Sequence, residues 1–566
     1  MRRTLVATLP AVNASPRTRS SPIDDTSRCN DDSFSHASSY FPLHKRRDRA
    51  HKHVPCLTRI LKGFGGPDMA QTTDTAAPRH WAPDAVTIIF ALCFIVMIVS
   101  AIMAAAGVTA VRPGSGELVV AQNLFSAENL RRLFSEMPQT FAHFHPLGMV
   151  VVVMLGAGMA DKVGLFDAAL GKFLRAIPSK ALLPGTIAIG ICSHVAVDAS
   201  YFVYIPLAGY AFKAAGRDPF VGICAAFAGV SGGYGANFLV TPTDAIIYGL
   251  TESAAQTIDA SVSVDLVSNY FIMVAYALVV IAVVTVVTRS VIEPRLARHD
   301  VDPVDAEEER REARPGALAW SGAAMAAVLI AALALALPEG APLRDEAGGL
   351  KPFYDSLVAV IFLMFFIGGV VFGVFDGRIG SDRDVMRLTA EGIYEVAPFF
   401  MLAFAAAHFG AFLNWSNLAV IFAAKGSAGL NAIDLTGIPL IIVFFIMAAL
   451  LNILMASASG KWALMAPAVV PMLMSAGLSP ELITAVYRIA DSATNIITPV
   501  SLLPVVLIFA QRYRPEVSLP AFIGIMIPYA AAMFVCGLLL LVAWVLLGVP
   551  LGPSGAEPFY QLPGAS

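Results

Sequence analysis

Long apolar runs separated by short polar segments dominate the chain beyond about residue 80. A helix of about 20 apolar residues spans the ~30 Å hydrocarbon core of a bilayer. The pattern predicts nine such spans, near residues 84–106, 145–169, 219–250, 266–290, 316–337, 353–375, 392–425, 481–512 and 517–549. The expected architecture is therefore that of an all-α polytopic membrane protein.

Two further apolar stretches are interrupted by polar residues that a simple crossing would not contain. Residues 181–213 include Ser193 and Asp198, and residues 436–475 include Asn452. Non-helical backbone at membrane depth is tolerated only where it is buried in protein or lines a water-filled cavity. Each stretch is therefore predicted to be a re-entrant hairpin with its tip at an internal site.

The distribution of Lys and Arg residues predicts the orientation of these hairpins, because cytoplasmic loops carry an excess of positive charge. Basic residues flank residues 181–213 on both sides, whereas the loop 251–265 has acidic residues and no Lys or Arg. This bias places the N-terminus and both ends of the first hairpin in the cytoplasm. Both ends of residues 436–475 are then outside, so the two hairpins are expected to be opposed.

The chain also repeats a residue pattern at a spacing of 261 positions. The residues whose identity is preserved are Pro206, Ala215, Gly216, Pro219 and Ser231, which correspond to Pro467, Ala476, Gly477, Pro480 and Ser492. The two copies extend over about 145–250 and 392–512. Inverted-topology repeats broken by Gly, Pro and polar residues are typical of secondary transporters, whose substrate sites lie between the copies.

Composition agrees with a membrane protein. Hydrophobic residues make up 57% of the chain, charged residues make up 14%, and the mean hydropathy is +0.70, whereas soluble domains carry about 25% charged residues. The six cysteines are scattered and form no CxxC pair, so neither a disulfide framework nor a metal site is expected. No motif predicts a cofactor or a nucleic-acid partner.

Residues 1–80 differ from the rest because they are rich in basic residues, Ser and Pro. Their one apolar stretch, residues 5–12, is too short and broken for a span or a signal peptide. We expect a disordered tail, or an untranslated extension upstream of a true start at Met69, followed by a transporter domain over 81–566. Contact of the basic run 45–49 with anionic lipid is the alternative.

Charged residues at membrane depth are costly and are functional candidates by default. Asp198 predicts a proton or cation site, with a permanent ion pair to Lys461 or Arg488 as the alternative. Arg488 and Asp491 lie three positions apart on one helix face, where they either serve a site or partly neutralise each other. Trp462 is expected to stack on an aromatic substrate or, alternatively, to be an interfacial anchor.

Uncharged polar residues at the hairpin tips and helix breaks complete the candidate set. They are Ser193, Asn237, Ser457, Ser459, Asn495 and Thr498. Asn237 and Asn495 stand at predicted helix breaks, where the side-chain carbonyl either ligates a cation or caps the helix. His194 and His408 are isolated histidines in apolar surroundings and are expected to be packed and neutral.

Residues 156–170, 193–237 and 457–499 resemble the AbgT family of p-aminobenzoyl-glutamate transporters and sulfonamide exporters. The resemblance covers about 84–549 and implies a homodimer, the same arrangement of helices and hairpins, and transport coupled to H⁺ or Na⁺. The functional aspartate of the family corresponds to Asp198. Its other functional residues are all present, as Asn452, Trp462, Pro480, Arg488 and Asp491.

Two other classes of protein deserve comparison with a carrier. Gly-Val-Ser-Gly around Ser231 matches the serine motif of rhomboid-like intramembrane proteases, but so short a match is weak in a glycine-rich chain. A protease would also explain neither the repeat nor the second hairpin. A channel is distinguished from a carrier by flux that neither saturates nor runs uphill on an ion gradient.

The sequence therefore predicts a secondary active transporter of the inner membrane, coupled to an ion gradient, and not an enzyme. Its expected substrates are p-aminobenzoyl-glutamate or related aromatic amides and carboxylates, with export of sulfonamide antimetabolites as the alternative. Arg488 and the positive ends of the broken helices would attract the substrate anion. Trp462 would stack on the substrate ring, and Asp198 would carry the proton or ligate the cation.

Overall fold

The structure is a computed structural model that describes residues 85–113, 116–196, 200–296, 313–394, 396–455, 457–499 and 502–561. These residues belong to one structural unit, His80–Ser566. The predicted tail over 1–80, the proposed start at Met69 and the candidate Asp198 lie outside the described residues.

The described chain up to residue 296 forms ten α-helices and a two-stranded antiparallel sheet. In chain order the elements are α1 (Ala85–Ala105), β1 (Thr109–Val111), β2 (Leu118–Val120), α2 (Ala127–Ala142), α3 (His145–Lys162), α4 (Leu165–Ala176), α5 (Leu182–Cys192), α6 (Ile205–Ala214), α7 (Pro219–Gly232), α8 (Pro242–Ala255), α9 (Tyr270–Val287) and α10 (Glu293–Arg295). Thr109 pairs with Val120 in the sheet. Short 3-10 turns occupy Ser179–Ala181 and Ser193–Ala196, and a π-helical turn, Ser200–Tyr204, precedes α6.

The described chain from residue 313 onward is helical in all its regular elements. They are α11 (Ala317–Ala334), α12 (Lys351–Asp355), α13 (Leu357–Asp376), α14 (Asp382–Tyr394), α15 (Ala397–Trp415), α16 (Leu418–Ala432), α17 (Gly437–Leu454), α18 (Ala458–Ser475), α19 (Pro480–Asn495), α20 (Leu503–Gln511) and α21 (Leu519–Leu547). The predicted hairpins are confirmed as pairs of helical arms, α5 with α6 and α17 with α18, each interrupted at the predicted tip.

Among the described residues, eight helices are long and apolar enough to cross a membrane. One of them is α17, an arm of the second hairpin, so seven continuous spans remain. The predicted spans 219–250 and 481–512 are each divided into two shorter helices, α7 with α8 and α19 with α20. If each divided pair is counted as one crossing, the described helices agree with the nine predicted spans.

Two predicted spans were too long, because each runs through a helix break. The predicted span 145–169 divides into α3 and α4 at Gly164, and the span 392–425 divides into α15 and α16 at Asn417. Both residues have left-handed backbone, with φ of 81° at Gly164 and 59° at Asn417. Gly and Asn are among the residues that most readily adopt this conformation, so each can separate two helices at a single position.

Local geometry confirms the repeat at 261-residue spacing. Gly216 (φ 70°) follows α6 and Gly477 (φ 93°) follows α18. Pro219 and Pro480 then begin α7 and α19, where the missing N–H of proline costs nothing. The same residues therefore make the same turn in both copies, between a hairpin and a broken helix.

Packing places both helix breaks inside the molecule. In the first repeat, α5 and α6 pack on α7, and in the second, α17 packs on α19. The arm α18 also packs across on α8 of the first repeat. All residues of α7 are buried, whereas α11 exposes large apolar side chains such as Trp320, as expected of a helix that faces lipid. The site predicted between the repeats is thus shielded by protein.

Candidate functional site

A buried cation links the second hairpin to the broken helix that follows it. The Lys461 ammonium on α18 donates to Asn452 Oδ1 on α17 at 2.6 Å and to the Asp491 carboxylate on α19. The Asn452 amide in turn donates to the backbone oxygen of Asp491 at 2.9 Å and to Thr494 Oγ1 at 3.0 Å. The Lys461 and Asp491 side chains are 1% and 0% exposed. Because an isolated buried charge is very costly, this pair fixes three helices together.

A second buried ion pair crosses between the two repeats. The Arg488 guanidinium on α19 donates to Asp244 Oδ1 on α8 at 2.5 Å and to Tyr248 Oη at 3.0 Å. Its Nε and Nη2 donate to the Tyr234 carbonyl at 3.2 and 2.8 Å. Asp244 Oδ2 accepts the backbone N–H and the hydroxyl of Thr241, which forms the capping box of α8. The Asp244 carboxylate thus caps the N-terminus of α8 and also neutralises Arg488 of the other repeat.

These contacts decide whether Arg488 and Asp491 pair with each other, which the sequence left open. Arg488 and Asp491 do not neutralise each other, since Asp491 lies against Lys461 and Arg488 lies against Asp244. Asp244 was missed by the sequence reasoning. The signal was present, because an acid three residues after Thr241, at a helix break, is the pattern of a capping box.

Trp462 is buried beside the charged residues, with 0% exposure. Its ring stacks on Tyr487, with centroids 4.3 Å apart and planes 26° apart. Its Nε1 donates to Thr251 Oγ1 on α8 at 3.0 Å, and Thr251 shares a 2.8 Å hydrogen bond with Thr484 on α19. The alternative of an interfacial anchor is therefore wrong, because this tryptophan joins α18, α8 and α19 in the interior.

The uncharged candidates divide by their contacts. Thr498 joins the Lys461 cluster through a 3.3 Å bond from its hydroxyl to the Asn452 carbonyl. Ser193 donates to Gly190 O at 2.7 Å, and Ser457 caps α18 by accepting the Gly460 N–H at 3.1 Å. These last two hydrogen bonds stay within their own hairpin arms.

The other uncharged candidates differ mainly in burial. Ser459 and Asn495 are half-buried, and Pro480 is the buried first residue of α19. Asn237 is buried, and its Oδ1 has no hydrogen-bond partner among the described residues. The capping alternative for Asn237 is therefore not realised in this structure.

Several buried polar atoms around the helix breaks lack a hydrogen-bond partner within the described part of the chain. They are Asp491 Oδ2, Tyr234 Oη, Asn237 Oδ1 and Ser231 Oγ. Buried polar groups in proteins are nearly always hydrogen-bonded. Such a concentration on the segments that follow the two hairpins marks where an ion, a proton or a polar ligand would find its contacts.

The surroundings of Ser231 contradict a serine protease. A serine nucleophile needs a base within hydrogen-bond reach, and Ser231 Oγ has no such contact among the described residues. His194, the nearby histidine on the first hairpin, directs Nε2 to the Val230 carbonyl at 2.5 Å. As expected, His194 is a packed histidine, and the structure provides no catalytic dyad there.

The broken helices, the two hairpins and the buried ion pairs define the class, a membrane transporter built from an inverted repeat. The sequence profile of the AbgT putative transporter family matches residues 80–560. The chain therefore belongs to the AbgT family, and it is a transporter rather than an enzyme.

Individual relatives agree over most of the chain. The p-aminobenzoyl-glutamate transport protein of Escherichia coli (strain K12) is 32% identical over 468 residues, covering 82% of this chain and 92% of the relative. The Alcanivorax borkumensis YdaH transporter is 38% identical with a TM-score of 0.80, covering 83% of this chain and 100% of that one. Neisseria gonorrhoeae MtrF, described as illuminating a class of antimetabolite efflux pumps, is 34% identical with a TM-score of 0.79, covering 84% and 98%.

Proposed function

We propose that this protein is a secondary active transporter that uses an ion gradient to move p-aminobenzoyl-glutamate or related aromatic amides and carboxylates across the inner membrane. The observation that carries the proposal is the pair of fully buried salt bridges, Lys461–Asp491 and Arg488–Asp244, at the broken helices. The name of the Escherichia coli relative supports the substrate class. Export of sulfonamide antimetabolites is the second candidate, supported by the description of MtrF.

The substrate anion is proposed to bind at Arg488 by displacing Asp244. Four hydrogen bonds hold the guanidinium within the protein, so a carboxylate gains access only by taking over some of them. The planar fork of arginine suits such an exchange, because it binds carboxylates in two-pronged fashion. Trp462 and Tyr487 already form an aromatic surface nearby, to which the substrate ring would add once the bond of Trp462 to Thr251 opens.

Coupling to the ion gradient is assigned to Asp198 and Asp491. Asp491 Oδ2 has no hydrogen-bond partner among the described residues, so a proton or a cation bound there would weaken the attraction for Lys461. Release of the ammonium would then loosen the contact of α18 with α17 and α19. Asp198, which lies outside the described residues, would bind the proton or the cation at the tip of the first hairpin.

The orientation and assembly are also proposals. The charge bias of the loops supports a cytoplasmic N-terminus and inner-membrane location, and the family resemblance supports a homodimer. Tail residues 1–80 have no part in the proposed mechanism.

The decisive experiment is counterflow and gradient-driven uptake in proteoliposomes. Labelled aminobenzoyl-glutamate and a labelled sulfonamide are tested under separately imposed proton and sodium gradients. Saturable accumulation driven by one gradient is expected, with loss of accumulation but retained counterflow in Asp198→Asn. Glu391→Gln, an exposed acid on α14, is the matched control and should behave as the unaltered chain. Flux that never saturates or never runs uphill would instead establish a channel.

A further inference from the structure

A cavity of about 430 Å³ lies apart from the charged site, where α2 and the start of α3 meet the ends of α8 and α15. Small-molecule sites usually occupy about 300 to 1,000 Å³. Gln256 and Thr257, at the start of the loop predicted to lie outside, line this cavity. It therefore opens on the outer face in the proposed orientation.

The cavity exists because α2 covers it without filling it. Helix α2 packs on α15, yet none of its residues is buried. Its polar side chains Arg132, Glu136 and Gln139 line the cavity instead. The space beneath this amphipathic helix is lined by polar side chains and is not filled by packed ones, so it can hold a ligand.

The lining offers a cation fixed on an aromatic surface. The Arg132 guanidinium lies 4.6 Å from the centre of the Trp415 ring. Its Nε donates to Glu136 at 2.9 Å, which holds the guanidinium in place. His143 and Asn414 add further polar groups to the same walls. A planar ring could lie along the tryptophan while its carboxylate reaches the arginine, and an arylamine could donate to Glu136.

The floor of the cavity is formed by the two helices, α18 and α8, that the Trp462 contact joins. Ala463 and Pro467 on α18 and Leu250 and Ala254 on α8 line the cavity. Ala463 directly follows Trp462 in the chain, and Leu250 and Ala254 lie on either side of Thr251 in sequence. The hydrogen bond from Trp462 to Thr251 therefore involves residues next to the cavity lining in the chain and joins the same two helices.

We propose that this cavity is an outer binding subsite for the transported aromatic carboxylate, with Arg132 as the anion anchor, Trp415 as the surface for the ring, and α8 and α18 as its floor. The proposal rests on the proposed function. It adds a second binding site on the transport pathway, which the substrate occupies before or after it binds at Arg488.

The test is protection of a cysteine in the cavity by substrate. Ala411→Cys places a small thiol on the α15 wall, and its reaction with a membrane-impermeant maleimide is measured with and without aminobenzoyl-glutamate, after subtraction of labelling in the unaltered chain. Substrate should slow labelling at least several-fold. Glu346→Cys, in the exposed loop between α11 and α12, should label at the same rate with or without substrate.

Adjacent arginines on α2 supply a matched pair. Arg132→Gln should remove the protection and raise KM for aminobenzoyl-glutamate about tenfold or more, whereas Arg131→Gln, whose side chain does not line the cavity, should change neither. Equal effects of the two variants, or full protection by an uncharged benzamide, would overturn the assignment of an anion subsite.

The outcomes separate this inference from the proposed function. If the unaltered chain transports aminobenzoyl-glutamate but the substrate does not slow labelling of Ala411→Cys, the subsite is refuted and the function stands. If the unaltered chain transports neither aminobenzoyl-glutamate nor a sulfonamide, the proposed function fails and the subsite fails with it.

Discussion

Removal of the Asp244 carboxylate should reveal how strongly the two repeats are held together. The Arg488 and Asp244 side chains are 1% and 6% exposed, so water does not screen the charge that is left behind. Breaking a buried ion pair by removing one partner costs about 3 to 5 kcal/mol. In Asp244→Asn the amide oxygen still accepts one hydrogen bond, so we expect a loss of about 3 kcal/mol, and in Asp244→Ala about 5 kcal/mol.

The assay is a double-mutant cycle on the free energy of unfolding, measured by SDS titration of the protein in mixed micelles. The variants are Asp244→Asn, Arg488→Gln and their combination. Because the double variant buries no unpaired charge, its loss should be smaller than the sum of the single losses, by about 2 kcal/mol or more. The control is Glu293→Gln, which breaks the half-exposed pair with Arg217 (28% and 35% exposed) and should cost at most about 1 kcal/mol.

Transport measurements extend the same prediction to function. If substrate displaces Asp244 from Arg488, Asp244→Asn removes the competitor, so affinity for aminobenzoyl-glutamate should rise while turnover falls. Additive losses in the cycle, or a loss no larger than that of Glu293→Gln, would refute the energetic reasoning. Unchanged affinity in a stable Asp244→Asn variant would leave the pair with a structural role only.

Three further predictions concern other parts of the chain. Thr251→Val should lower the free energy of unfolding by about 1 to 3 kcal/mol, because the buried Trp462 N–H loses its acceptor. Thr251→Ser keeps a hydroxyl and should be as stable as the unaltered chain. Equal stability of the Val and Ser variants would show that the hydroxyl is unimportant. Burial raises the pKa of Asp265 from 3.8 to about 6, so the Asp265 carboxylate binds a proton more tightly in the folded protein than in the unfolded chain. The contribution of Asp265 to the free energy of unfolding is therefore greatest below about pH 4 and is lost as the pH rises through 6. Thermal stability measured from pH 4 to 8 should therefore fall less steeply in Asp265→Asn than in the unaltered chain. A chain that begins at Met69 should insert and transport as the full chain does, whereas loss of either property would make residues 1–68 part of the mechanism.

The large-scale architecture was predictable because its signals are local. Polar residues such as Asn452 interrupt apolar stretches, and charge bias along the loops orients them, so each hairpin could be placed without knowing what it touches. The breaks at Gly164 and Asn417 were not predictable in this way. Polar residues such as Lys162 and Ser416 precede these breaks, but their polarity alone does not distinguish a helix break from a continuous helix, and the backbone with positive φ that ends each helix is seen only in the structure.

Of the charged residues at the helix breaks, Lys461, Arg488 and Asp491 were named from the sequence, but Asp244 and the pairings were not. Arg488 and Asp244 are separated by 244 positions, and their contact depends on which helices of the two repeats meet. Sequence spacing predicts neighbours within a helix, such as Arg488 and Asp491, but side-chain direction and packing decide whether they pair. Asp244 could have been found as an acid at a helix break, yet its partner could not.

The two copies of the repeat do not carry the same charges. At the spacing of 261, Lys461, Arg488 and Asp491 correspond to Ser200, Phe227 and Val230. Identical copies would make the inward-open and outward-open states energetic mirror images, with equal affinities on the two faces. Here one state must reorganise the Lys461–Asp491 pair of the second copy, and its mirror state has no equivalent pair to reorganise. The carrier should therefore be kinetically asymmetric, with unequal KM values for substrate presented from the two sides.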